Sequence, residues 1–522
     1  MSVQQGPPAE GTEGQGGVAR FNAPADLDSI DPALATGTAS QQLEYATCVK
    51  LLNYPDAPAP AGSRLVPEVA AAMPIRSADG RRYTFTIRKG LRFSPPSGEP
   101  ITAETFRHTL ERALSPRVQH PPAGPAMTDI VGATAYEAGR ASHVEGIVAT
   151  GDRLTIRLTR PAPDLLARLA FPTFCAVPTA TPISPQTVAP IPSAGPYYIA
   201  SYVPNQEIVL ARNPNYHGAR PHRLDKITYT LGIDPKQTVA QIEAGQADYA
   251  VAGFIPGGLP PSSIPELSAR YGPRSPAARA GHQQYFESPS LGEIWIALNP
   301  NRPLFADAAL RRAVAYAIDR PALSRDSDYA FRPDDHLLPP VLPGYEHVHL
   351  YPLSRPDLKK ARRLAARHGG LAIMYACSGC NEQLIQRELA RIGIDVVVKE
   401  FPVAEFLQRV KTPGEHVDLF QGGTTNGYYD PVEFLNHVLV GHSIAALAPH
   451  DRSLSRKLAN AARLSAAARE RAYGRLDVEI ARDAYLVPLG YTTTQDFFSA
   501  TIGCQLDHPV YGMDLAAICR RH

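Results

Sequence analysis

No stretch of this sequence approaches the roughly 18 uninterrupted apolar residues that span a bilayer, so no membrane-crossing helix is predicted. An excess of one charge is also missing: 52 Lys+Arg against 50 Asp+Glu leaves +2. That balance argues against a nucleic-acid partner, whose binding rests on neutralising phosphates. Lysine is scarce. Only nine of the 52 basic residues are lysine, which fits an arginine- and alanine-rich genomic background better than a dedicated arginine surface. The six cysteines (Cys48, Cys175, Cys377, Cys380, Cys504, Cys519) are too few and scattered for a disulfide-dense scaffold, and structural or inert roles are expected for all of them. Cys377-Ser-Gly-Cys380 lacks the second ligand pair that a tetrahedral zinc site needs. Cys504 and Cys519 bracket a short stretch that a disulfide can close in an oxidising compartment.

Catalytic signatures are equally sparse. The chain has no phosphate-binding Gly-x-x-x-x-Gly-Lys, no His-Glu-x-x-His and no Gly-x-Gly-x-x-Gly after a strand. Gly441-His-Ser-Ile-Ala445 only faintly echoes a nucleophile elbow. His336, His347 and His349 crowd a loop with Glu346, but imidazoles in such a loop are expected to be solvated, and no metal site is assigned. No enzyme activity and no cofactor are expected.

What the chain has in abundance is punctuation. Proline (51) and glycine (39) mark many turns, and 522 residues leave room for three or four domain-sized units at roughly 150 residues each. Met1–Gly17 reads as a flexible tail without a charged-then-apolar leader; the chain is either cytosolic or a mature segment given a start methionine. Alternation predicts strands at Arg82–Arg88, Arg153–Thr159, Glu207–Ala211 and Lys226–Leu231. Thr102 is the expected N-cap of a helix carrying Phe106, Leu110 and Leu114 on one face. Further on, Glu293–Leu298, Leu371–Tyr375, Ile394–Lys399 and Asp418–Phe420 read as strands between helices at 307–318, 356–368, 383–392 and 403–410. Arg311 and Arg312 are placed on the outer face of the first of these helices, and Leu454–Ala484 reads as one long helical stretch. This rhythm, with a buried Val/Ile run at 394–398, predicts a partly parallel sheet covered by helices. Pro178–Pro192 and Gly253–Pro276 are the candidate seams.

One segment suggests a binding site. In Gly422-Gly-Thr-Thr-Asn-Gly-Tyr-Tyr-Asp-Pro431 the glycines admit a ligand close to the backbone, while Asn426, Tyr428 and Tyr429 offer hydrogen bonds and flat apolar faces. A plain turn with buried aromatics is the competing reading.

Several separated blocks resemble one family, the extracytoplasmic solute-binding proteins of ABC importers in the peptide/nickel class (family 5). The blocks run in order: Leu27-Asp-Ser-Ile-Asp-Pro-Ala-Leu34, Arg88-Lys-Gly-Leu-Arg-Phe93 with Ile101-Thr-Ala-Glu104, Gly195-Pro-Tyr197, Leu210–Tyr216, Gln241–Asp248, Arg311–Asp319 and Arg391-Ile-Gly-Ile-Asp395. The resemblance covers about Val18 to Asp507. It implies an α/β, two-lobed periplasmic-binding-protein-like fold of the large peptide-binder type, with an extra domain inserted in lobe one. Mapped here, lobe one comprises 18–45, 180–260 and 485–522, the inserted domain 46–179, and lobe two 261–484, after the tail 1–17.

The implied function is capture of a peptide-like or other small organic solute by lobe closure, and delivery to the transmembrane subunits of an ABC permease by an extracytoplasmic, monomeric protein whose full-length precursor is lipid-anchored. A ligand-sensing or regulatory module with the same fold and no permease is the alternative. Peptide-binding members often carry an Asp, for the peptide amino terminus, three residues before the acidic residue of the Asp/Glu-Pro pair; here that position is Gly427. Dipeptide binders add an Arg after the strand matching Leu371–Tyr375, and Ala376–Cys380 has none. Without both charged anchors a neutral, polar or aromatic-rich ligand, or a longer peptide held by its backbone, is expected. A nickel chelate stays open. The implied substrate-binding residues are Thr38, Trp295, Gly423, Thr424, Asn426, Gly427, Tyr428 and Tyr429.

Overall fold

The computed structural model describes residues 13–118, 127–185, 189–252, 257–326, 331–366, 368–377, 382–412, 414–424, 427–439, 452–464 and 466–521. The chain divides into two compact units, Met1–Ser288 with Thr494–His522, and Pro289–Thr493. The strands Tyr285–Leu298 and Leu486–Phe498 carry the chain across both borders.

In the first unit, Val18–Ala23 lies parallel to Lys226–Leu231 on one side and to Tyr249–Ala250 on the other. The strands Glu207–Arg212 and Tyr197–Val203 extend the sheet by antiparallel pairing, and Phe498 pairs with Tyr249. Strand alternation sends Ala19, Phe21 and Ala23 into the core, where the Phe21 ring meets Tyr229 and Tyr249 edge-on at 5.1 and 4.9 Å. Of the expected tail, Glu13–Gly14 pairs with Arg521 and Arg520.

The same unit holds a separate antiparallel sheet of Ile75–Arg76, Arg82–Thr86, Arg153–Arg157 and Ile147–Thr150. The helix Ala103–Ala113 covers it. Thr102 caps that helix as expected: its hydroxyl accepts from the Thr105 amide (3.4 Å) while the Thr105 hydroxyl accepts from the Thr102 amide (3.0 Å). Phe106, Leu110 and Leu114 are buried with Phe85, Leu154 and Ile156 in one cluster drawn almost wholly from Val49 to Ala176. A disulfide between Cys48 and Cys175, Cα atoms 5.4 Å apart, ties the entry of this segment to its exit.

In the second unit the strand order is Ile394–Phe401, Gly370–Cys377, Leu419–Thr424, Tyr285–Leu298 and Leu486–Phe498. The first two are parallel, as is Gly370–Cys377 to Leu419–Thr424, so the expected partly parallel sheet is present. Ile294, Ile296 and Leu298 point into the core with Leu310, Val314, Met374, Ile385 and Leu389.

Three expectations are corrected here. The Val396–Val398 run is not buried: its strand is the sheet edge, and Val397 is exposed. Arg311 is not on an outer face. It is buried, and its guanidinium donates to the carbonyls of Phe305 (2.8 Å) and Ala306 (3.1 Å) before its own helix and to that of Asp483 (2.9 Å), left open at the end of the helix Ala466–Asp483. The stretch 454–484 is two helices, Arg452–Ala461 and Ala466–Asp483.

Candidate functional site

The candidate site begins with the register of two strands in the second unit. Leu419–Thr424 runs antiparallel to Tyr285–Leu298, with Thr424 opposite Glu293, Gly423 opposite Ile294 and Gly422 opposite Trp295. Opposed residues share a face. Since Ile294, Ile296 and Leu298 fill the core, Glu293 and Trp295 lie on the other face with Thr424, Gly422 and Phe420. There the indole lies across Gly422, where a Cβ would come within 2.5 Å of the ring. Trp295 meets Phe420 edge-on at 5.9 Å, and Phe420 meets Phe406 of the helix Val403–Val410 at 6.0 Å. Gly422 is therefore a packing requirement of Trp295. The tryptophan, 3% exposed, is a buried strand residue on the face away from the main core.

Glu293 had no signal beyond being an acid two residues before that tryptophan in an apolar run. It is 1% exposed. Its Oε1 accepts from the indole Nε1 at 3.2 Å, and the Thr424 hydroxyl also bonds to the carboxyl. Among the described residues Oε2 has no partner. Burial pushes its pKa well above the usual carboxylate range; the Thr424 and Trp295 bonds oppose that shift, and Glu433 and Asp477 add to it.

Beyond Thr424, residues 425–426 lie outside the described residues, and Asn426 with them. Gly427 is buried, and its amide donates to the Leu291 carbonyl at 3.2 Å. A Cβ there would stand 3.0 Å from both Glu433 Cγ and Phe434 Cζ. Tyr428 and Tyr429 are half-buried, and the Tyr429 hydroxyl donates to the Val341 carbonyl at 2.7 Å. Asp430 anchors the segment. Its carboxylate accepts the Val432 amide at 2.9 Å at the start of the helix Pro431–Leu439, and two bonds from Arg469 at 2.7 and 2.5 Å. Register and these bonds thus bring Trp295 and Thr424 onto the face of Glu293 and tie Gly427 to Leu291, two residues before it, while Gly423 lies on the core face with Ile294. Thr38 belongs to the first unit, where it starts the helix Thr38–Thr47.

Other candidates resolve into structural roles. His336 is buried, not solvated: Nδ1 lies 2.6 Å from Asp477 Oδ2 and Nε2 lies 2.6 Å from the Val348 carbonyl. Burial alone would lower its pKa, but the Asp477 carboxylate outweighs that and holds it at about 9. Although Asp334, Asp335 and His336 bring ligand atoms within 4.8 Å of one another, an imidazolium with both nitrogens donating has no lone pair for a metal. Cys504 and Cys519 form the expected disulfide, and Cys377 is disulfide-bonded; Cys380 and the 441–445 segment lie outside the described residues. A cavity of about 770 Å³ opens in the first unit between Tyr54, Glu68, Arg88, Tyr216 and Arg220. None of the sequence-derived site residues lines it, and its carboxylates are engaged: Glu68 accepts from the Lys50 amide (2.6 Å) and the Asn53 amide group (3.0 Å).

The comparisons with known proteins agree with this architecture. The family described as bacterial extracellular solute-binding proteins, family 5 (middle), matches residues 64–372, more than half of the chain. A probable deoxycholate-binding periplasmic protein of Escherichia coli (strain K12) is 28% identical over 285 residues, 53% of this chain and only 50% of that relative. Di/tripeptide-binding protein 2 of Pseudomonas aeruginosa (strain UCBPP-PA14) is 26% identical over 449 residues, 79% of this chain and 77% of the relative. Among solved structures, clavulanic acid biosynthesis oligopeptide binding protein 2 superposes with a TM-score of 0.82 at 23% identity, covering 98% of this chain and 96% of that one. That likeness establishes the α/β, two-lobed periplasmic-binding-protein-like fold. With the family match over the middle of the sequence, the chain is a member of the family 5 extracellular solute-binding proteins.

Proposed function

We propose that this chain is the extracytoplasmic substrate-binding component of an ABC importer, capturing a peptide-like or other small organic solute between two lobes by hinge closure and handing it to a membrane permease. In such a binder, contacts that exist only in the closed state shift the open–closed population, and no bond is made or broken. The observation that carries the reading is the strand face bearing Glu293, Trp295 and Thr424 beside the Gly427–Tyr429 turn: aromatic and polar groups held on rigid strands, in a family of binding proteins. Relatives named for deoxycholate and for di/tripeptides support a broad solute class and do not fix one. Within this reading, Pro289–Thr493 is lobe two, and the other unit combines lobe one with the inserted domain at about 46–179. The Cys48–Cys175 and Cys504–Cys519 disulfides support an oxidising, extracytoplasmic location.

The test is ligand capture. Native mass spectrometry of protein purified from its source, followed by thermal shift with the retained solute, is expected to give a raised melting temperature. Tyr428→Ala is expected to weaken that solute with little loss of stability. A broad solute panel that leaves the melting temperature unmoved would count decisively against the binder role.

A further inference from the structure

In the second unit several buried carboxylates meet cations, while Glu382 is buried with only another acid, Glu400, acting on it. Asp430 faces Arg469, Asp418 faces Arg302 and Asp477 faces His336. Glu293 does not. It is as deeply buried as these, one of its oxygens has no partner among the described residues, and the charged groups acting on it most, Glu433 and Asp477, are acids. A carboxyl left in this state costs stability that glutamine or an apolar side chain would avoid. Its position is the second observation. It shares a strand face with Trp295 and bonds to Thr424, which with exposed Gly423 forms the outer end of the neighbouring strand. The acid therefore sits where the candidate site already lies. Gly427, close by, supplies no charge of its own, and its Cβ position is blocked by Glu433 and Phe434.

We propose that Glu293 is the specificity residue of this site and receives a cationic group of the bound solute, a protonated amine or a guanidinium. The inference rests on the binding role proposed above and adds the ligand's charge to it. The carboxyl has one oxygen held by the indole, and the other, without a partner among the described residues, can take a charge-assisted hydrogen bond. Because burial and the acids Glu433 and Asp477 hold the empty site toward its protonated form, arrival of the cation sends the carboxyl proton to solvent. The site carries its negative anchor on the strand, where peptide binders of the family often carry it at the position of Gly427.

One equimolar pool tests this: tripeptides with free and N-acetylated amino termini, with and without lysine or arginine, together with linear polyamines. Wild type and Glu293→Gln are each equilibrated with the pool, and the retained solutes are read by native mass spectrometry. Glutamine keeps an acceptor for the indole and removes the charge. The expected result is retention of cations by wild type and at least about tenfold less by the variant, with unchanged circular dichroism. The free-terminus, side-chain and polyamine arms identify which cation is held. Calorimetry of the retained cation on wild type, in two buffers of different ionisation enthalpy, is expected to show proton release whether or not the variant folds. Equal retention by the variant, acetylated peptides without lysine or arginine held as tightly as those bearing a cation, or binding without proton release overturns the anchor and leaves the binding role standing. A pool from which neither protein retains anything overturns the anchor, and the broad solute panel above then decides the binding role.

Discussion

Arg220 in the first unit and Glu293 in the second are both buried charges beside aromatic rings, and they are resolved in opposite ways. Arg220 donates from Nε to both Asp56 oxygens at 3.2 Å and from Nη1 to the Cys48 carbonyl at 3.3 Å, with its guanidinium 3.9 Å over the Tyr45 ring. The Tyr45 hydroxyl donates to the same Asp56 at 2.7 Å, and Tyr511 stacks on Tyr45 at 4.1 Å. Asp56 balances the Arg220 charge, although Arg220 Nη2 and the nearby Lys50 Nζ have no hydrogen-bond partner among the described residues, and the cluster ties the C-terminal segment to the first helix. Glu293 has an indole, a hydroxyl and two acids around it and no cation paired with it among the described residues, so burial holds it toward its neutral, protonated form. On the proposal made above, the first arrangement is architecture and the second is a place for a guest.

The comparison breaks most severely at the neck of the first unit. Replacing Cys48 and Cys175 by serine opens a closure of 127 residues, and chain-entropy arguments put the loss at about 4–5 kcal/mol, read by urea denaturation. A loss below that of opening Cys504–Cys519, which closes only 15 residues, would show that the neck is held by its packing.

Alkaline titration sharpens the contrast next. Burial lowers Lys50, in the first unit, to a pKa of about 8, so its destabilising effect is full below pH 8 and is relieved as the pH climbs toward 10.5. His336, in the second unit, is raised to about 9, so its pairing with Asp477 stabilises fully below pH 6.5 and is lost as the pH rises through 9. Each effect amounts to about 3 kcal/mol. Hydrogen exchange between pH 7 and 10, corrected for intrinsic rates, is expected to show protection falling around His336 and rising around Lys50. Parallel changes in both would contradict the assignment of these charges.

The smallest expected effect is at the site itself. Gly422→Ala sets a methyl against the indole, and overpacking of this kind costs about 1–3 kcal/mol. Calorimetric melting checks it, and a neutral result would mean that Trp295 has room to move toward the ligand side.

Much of the fold was legible because its signals are local. The Lys226–Leu231 strand alternates cleanly, and Thr102 announces the helix after it; both stand where the pattern put them. Burial that depends on neighbours was not legible. The Val396–Val398 run looks like a core strand until the sheet is found to end there, and Arg311 looks solvent-facing until the carbonyls around it need donors. At the site, the glycines and aromatics of 422–429 could be picked out as a segment. Only the register with Tyr285–Leu298 brings Glu293 onto the same face, and no pattern within either strand contains that pairing.

The clasp at Cys48 and Cys175 has one more consequence. The chain leaves and returns there at points 5.4 Å apart, with a core drawn almost wholly from the residues in between. Cutting that segment away would leave Arg220 without Asp56 and Asp31 without Arg112, so its border is fastened by buried ion pairs as well as by the clasp, and any graft at the neck must replace both.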